Sequence, residues 1–169
     1  PAFQRATLSN GLKVLLAERH GTPLVEMTLL VDAGNAADQL GVPGTASLAL
    51  GMLEEGTATR SALQISDALA DAGARLGTES VFDFSRVNLS ALKAKLQPAL
   101  EVFADVILHP AFPEDNVQRK RAERLAAIRR EKVTPIYTAL RVAPELLYGP
   151  GHAYAQPMTG TGYEEGVAK

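Results

Sequence analysis

The chain has 169 residues, 46% of them hydrophobic and 21% charged, enough for one domain with a sizeable core. Its net charge of −2 excludes the strongly basic surface that nucleic acids and anionic membranes select. With no cysteine, neither a disulfide framework nor a thiolate metal site is possible, and no apolar run reaches the length of about 18 residues needed for a membrane-spanning helix.

Ser9-Asn10-Gly11 is a turn signal, and the apolar run Leu12 to Leu16 behind it predicts a short strand. Pro23 to Val31 predicts a second strand, closed by Asp32-Ala33-Gly34. The polar connection with Gly21 pairs these two as an antiparallel hairpin. Residues 45 to 55 (TASLALGMLEE) predict a helix apolar on almost every face, and therefore a buried one. Ser61 is expected to cap a helix that runs to about Ala72 and stops at Gly73.

Two strands follow, Arg75 to Phe82 and Phe84 to Leu92. In the second, Val87, Leu89 and Ala91 alternate with Arg86, Asn88 and Ser90, which gives one buried and one wet face. Leu96, Leu100, Phe103 and Ile107 form an apolar helical stripe ending before His109-Pro110. Pro113-Glu114-Asp115 opens a long charged helix to about Lys132, with Val117, Leu125 and Ile128 inward. Pro135 separates it from a last helix, Tyr137 to Leu147. The order predicts an α+β fold, an antiparallel sheet with helices packed on one face. Residues 1–169 read as a single incomplete domain, C-terminally truncated, because Thr161 to Lys169 breaks off at what reads as a helix start.

The candidate chemistry is sparse. His20, His109 and His152 lie in separate turns, and none has a second His or an acid three or four residues further along the chain in a metal-binding pattern. Glu54 and Glu55 are adjacent, so their side chains diverge by about 100° on a helix and cannot share a substrate; a solvated turn is the expectation. Arg119, Lys120, Arg121, Arg124, Arg129, Arg130 and Lys132 form a basic stripe without interleaved aromatics. Glu123 and Glu131 interrupt it, and a solvated helix face is expected rather than a nucleic-acid site. Gly149-Pro150-Gly151 lacks the following Lys-Ser/Thr of a phosphate loop, and no Gly-x-Ser-x-Gly elbow occurs.

The blocks LSNGLKVLLAERH (Leu8 to His20), LLVDAGNAAD (Leu29 to Asp38), GVPGTASLALGMLEEGTATRS (Gly41 to Ser61), ERLAAIRREKVTP (Glu123 to Pro135) and GPGHAYAQPMTGT (Gly149 to Thr161) occur in this order. Together they resemble the pitrilysin, or insulinase, family of zinc metallopeptidases, which includes the mitochondrial processing peptidases. In active members the signature helix carries His-x-x-Glu-His, two metal-binding histidines one turn apart with a general base between them, and a downstream glutamate completes the site. Laid onto this sequence, the histidine positions fall at Ser47 and Gly51, the base at Leu50 and the third ligand at Ala127. None of the four can do its family task.

The resemblance therefore implies a non-catalytic domain of a bacterial zinc protease. Such a domain forms part of a clamshell chamber and contacts an active half, on the same chain or a partner subunit, that hydrolyses peptides. No catalytic or metal residue and no cofactor is expected in this chain; zinc is expected in the active half. The alternative is a structural subunit or assembly protein of the same fold with no proteolytic role. Peptide substrate and self-association of the fragment are the further expected contacts, with neither nucleic acid nor a membrane span. A periplasmic or exported setting is favoured.

Overall fold

The computed structural model describes residues 2–168, the side chains of residues 39 and 40 aside. The first element is a strand that the sequence reading did not include. β1 (Phe3–Thr7) pairs antiparallel with β2 (Lys13–Ala17), Phe3 opposite Ala17 and Thr7 opposite Lys13. The Ser9-Asn10-Gly11 signal makes this turn. Gly11 sits at φ 87°, a region glycine reaches without a Cβ penalty, and donates to Leu8 O, while Asn10 Oδ1 accepts from Leu12 N. The expected pairing of Leu12–Leu16 with Pro23–Val31 does not form, because the hairpin closes backward onto Phe3–Thr7.

β3 (Leu24–Val31) belongs to a second, three-stranded antiparallel sheet of order β3-β5-β4, with β4 at Arg75–Ser80 and β5 at Ser85–Leu92. β5 takes the central place. Its alternation holds as expected: Val87, Leu89 and Ala91 are buried, and Arg86, Asn88 and Ser90 are half-exposed.

Among the described residues six α-helices occur: α1 (Thr45–Met52), α2 (Ala62–Asp71), α3 (Leu96–Leu108), α4 (Glu114–Val133), α5 (Pro135–Tyr148) and α6 (Glu164–Val167). Ser61 and Gln64 form a reciprocal capping box at α2, Ser61 Oγ accepting from Gln64 N and Gln64 Oε1 accepting from Ser61 N. Ile65 and Leu69 of α2, and Ala99, Val102, Phe103 and Val106 of α3, close over the inner face of β5. The α3 stripe is thus turned from the expected one, with Leu96, Leu100 and Ile107 only partly buried at its flank. α1 is less buried than its apolar sequence predicts. Met52 is its one buried residue, and Thr45, Ala49 and Gly51 are exposed. Its small apolar side chains present no polar face in the sequence, and β4 and α4 pack against it without enclosing it.

One buried carboxylate fixes the loop between α1 and α2. Asp105 Oδ2, on α3, accepts from Thr57 Oγ1 (2.7 Å), Thr59 Oγ1 (3.0 Å) and Arg60 Nη1 (2.5 Å). The Thr57 hydroxyl above all, with Arg60 and Thr59, outweighs desolvation and lowers the Asp105 pKa from the usual 3.8 to about 2. A depressed carboxylate pKa stabilises the fold above its unfolded value and loses that contribution as pH falls through the folded one. Asp105→Asn is therefore expected to cost about 2–4 kcal/mol at neutral pH, a gap that narrows as pH is lowered from about 4 to about 2. Urea melts of both proteins across that range measure it, and a gap independent of pH would contradict the assignment.

Candidate functional site

The signature segment is built around the start of α1. Gly44, at φ 98°, offers no capping side chain; Asp38, six residues upstream and buried, does the capping instead. Its carboxylate accepts from Gly44 N (2.9 Å) and Ala46 N (3.1 Å), and burial, outweighing these bonds, raises its pKa. The segment after α5 crosses this helix start at van der Waals limit. A Cβ on Gly162 would collide with the Pro43 carbonyl, and one on Gly44 would come within 2.8 Å of Thr161 O. Alanine at either position is excluded by sterics.

Two polar clusters hold that crossing. Glu131 Oε2, on α4, accepts from Arg141 Nη1 of α5 (2.7 Å), Thr161 Oγ1 (2.8 Å) and Thr159 Oγ1 (3.1 Å), and Arg141 Nη2 donates to Gly162 O (2.7 Å). The Arg141 and Glu131 side chains are only 7% and 12% exposed. One turn before Ala127 on α4, Arg124 Nη1 donates to Ser47 Oγ of α1 (3.0 Å) and to Gly160 O (3.1 Å). The sequence reading left Arg124 in a solvated basic stripe. Its i, i+3 spacing to Ala127 was the available signal, since such residues share a helix face.

Around this junction the four singled-out positions come out as follows. Ser47 is half-buried and bonded to Arg124; Leu50 packs partly against the main core; Gly51 is exposed with open space where a side chain would begin; Ala127 is half-buried. The Ser47–Arg124 bond links α1 and α4, which lie in contact.

The other candidates lie elsewhere. His20 is exposed beside Glu18; His109 Nδ1 lies 3.3 Å from Asp105 Oδ1; His152 stacks on Tyr148 and accepts from Tyr154 N through Nδ1. Glu54 and Glu55 are not a solvated turn. Glu55 Oε2 pairs with Arg119 (2.5 Å) and Oε1 with Lys120 (3.0 Å), which together lower its pKa against burial, and burial raises that of Glu54. Arg119 and Lys120 of the basic stripe neutralise Glu55. A groove of about 500 Å³ opens along Glu55–Leu63 and Pro113, without a nucleophile–base pair among its lining residues.

Zinc needs three or four nitrogen, sulfur or carboxylate donors converging at about 2.0–2.3 Å. Ser47, Leu50, Gly51 and Ala127 supply one neutral hydroxyl, already bonded to a guanidinium, and the donor set does not fit the ion. Among the described residues no three of His, Cys, Asp and Glu group to hold a metal.

The family profile Insulinase (Peptidase family M16) matches residues 13–142. The chain belongs to that family. It is similar to the crystal structure of a peptidase M16 inactive domain from Pseudomonas fluorescens, with 31% identity and a TM-score of 0.91 over 98% of this chain and 40% of that one. It shares its fold with the periplasmic protease PqqL of Escherichia coli, with 19% identity and a TM-score of 0.80 over 99% of this chain and 19% of that one. The uncharacterised zinc protease YmxG of Bacillus subtilis is 21% identical over 94% of this chain and 39% of its own length. The chain spans between 23% and 39% of the length of the curated relatives it matches.

The isolated chain is expected to retain no stoichiometric zinc after dialysis and to cleave no peptide, with or without added metal. Chelator should leave its melting temperature unchanged, because no metal-binding energy is coupled to folding. Elemental analysis giving one zinc per chain, lost on replacing His20 or His109, would contradict this.

Proposed function

We propose that this chain is a non-catalytic segment of a bacterial zinc protease, one that forms chamber wall beside an active half and leaves the chemistry to it. The observation that carries the reading is the α1–α4 junction. A capped helix and two polar clusters brace the junction, while the positions that the family resemblance assigns to metal ligands and base hold Ser47, Leu50, Gly51 and Ala127. Random decay would be expected to loosen such a frame. Here Arg124 and Glu131 spend polar groups holding it, which fits a surface kept for binding. The similarity to a peptidase inactive domain supports the same division of labour.

In this reading residues 1–169 are one incomplete metallopeptidase-like domain. The active half, on the same polypeptide or a second subunit, holds zinc and hydrolyses peptide. The setting is exported or periplasmic, as for the Escherichia coli neighbour.

Purification of the full-length protein from native cells, with its bound partners, tests this. The assembly should hold zinc and cleave peptides, and the active polypeptide should carry His-x-x-Glu-His. An assembly without zinc or peptidase activity would contradict it. The exposed apolar surface adds a second expectation. β3 is an edge strand with Leu24, Leu30 and Val31 exposed, and α5 exposes Ile136, Leu146 and Leu147, the last two at 78% and 77%. Edges and patches of this kind seek cover. The isolated chain should therefore self-associate as concentration rises, and a strictly monomeric sedimentation profile at high concentration would count against it.

A further inference from the structure

We infer that Arg124 is the fixed cation that has taken over the metal's cross-linking place between α1 and α4, and that its charge keeps this junction closed to zinc. The inference rests on reading Ser47, Leu50, Gly51 and Ala127 as the former metal positions, and goes beyond it by naming the group that replaced the ion.

A metal bound by α1 and α4 would tie the two helices together. Arg124 does the same with a single nitrogen: Nη1 reaches from α4 to Ser47 Oγ on α1 and to Gly160 O on the segment after α5. Both acceptors are neutral oxygens, a hydroxyl and a carbonyl. They suit a guanidinium donor and make poor zinc ligands. Among the described residues no carboxylate lies within ion-pair distance of Arg124, although Glu131 acts on it through space. The charge is therefore not cancelled locally. Burial lowers the Arg124 pKa, yet arginine stays protonated at any ordinary pH. The junction carries a permanent positive charge.

Room is not what excludes the metal. A side chain begun at Gly51 would meet no atom within 4 Å, so a ligand there has space. Charge is the obstacle, in two ways. The guanidinium repels a dication placed between the helices. A glutamate at position 127 would also sit three residues beyond Arg124 on the same face of α4, the spacing at which acid and base pair. Its carboxylate would be captured by Arg124 before it could serve a metal. Restoring the lost ligands alone should therefore fail.

Two full sets of substitutions decide the matter. One combines Ser47→His, Leu50→Glu, Gly51→His and Ala127→Glu with Arg124 kept; the other adds Arg124→Gln. Zinc per chain after dialysis and zinc affinity by competition with a chromogenic chelator are read on both, with circular dichroism to verify folding. The set without Arg124 is expected to hold one zinc per chain and to melt higher with zinc than with chelator. The set with Arg124 should bind at least tenfold more weakly. Equal binding by both would overturn the role of Arg124 and leave the reading of the four positions intact. Binding by neither, with both folded, would overturn the reading of the four positions and this inference with it.

Single substitutions in the natural chain keep the test open if the larger sets fail to fold. Arg124→Ala should lower the melting temperature and raise amide hydrogen exchange in residues 157–162. Arg124→Lys, whose shorter side chain ends in a compact, strongly hydrated ammonium, should restore only part of that protection. Unchanged exchange in Arg124→Ala would overturn the cross-link.

Discussion

The arrangement depends on a carboxylate turned inward and mostly covered by protein. Glu131 Oε2 gathers Arg141, Thr159 and Thr161, and so joins α4, α5 and the segment after α5 at one point. That segment then lies across Pro43 and Gly44 with no room for a Cβ, which sets where α1 begins. A buried ion pair is weak evidence of net stabilisation, since desolvating both groups offsets much of their attraction. Its value here is positional. Removing either partner would strand the other charge, so few arrangements of these three segments are tolerated.

The same physics separates frame from catalyst. A zinc peptidase needs histidine and carboxylate donors at set spacing, and it also needs helices held so that those donors converge. This chain has the second property without the first. Asp38 caps α1, Asp105 holds the loop that leaves it, and Arg124 and Glu131 brace α4 against it. Each of these is a charged or polar side chain turned inward on backbone or hydroxyl groups. None is arranged to activate water, and each would cost stability if lost. The family fold therefore persists on interactions that do not involve its metal.

Much of this was legible in the sequence, for reasons that can be stated residue by residue. The alternation at Val87, Leu89 and Ala91 placed β5, because a half-buried strand leaves a period of two. Ser61 and Gly73 bounded α2 through cap chemistry. Pro135 divided α4 from α5, since proline is favoured in the first turn of a helix, although Pro144 also sits inside α5. The family blocks are what assign the four positions Ser47, Leu50, Gly51 and Ala127 by resemblance. What failed was of two kinds. β1 (FQRAT) has too few apolar residues for any strand pattern, so β2 was given the wrong partner. Glu55 and Arg124 read as solvated charges because the partners that hold them lie 36 residues or more away in the chain, a separation no local pattern encodes.

The central claim is that the α1–α4 junction is held by Arg124 and is closed to metal. Crystals of the unmodified chain grown in the presence of zinc, measured above and below the zinc absorption edge, address it most directly. The account predicts guanidinium density joining Ser47 and Gly160, with no anomalous peak between the helices. A zinc peak there, with Arg124 displaced into solvent, would contradict it.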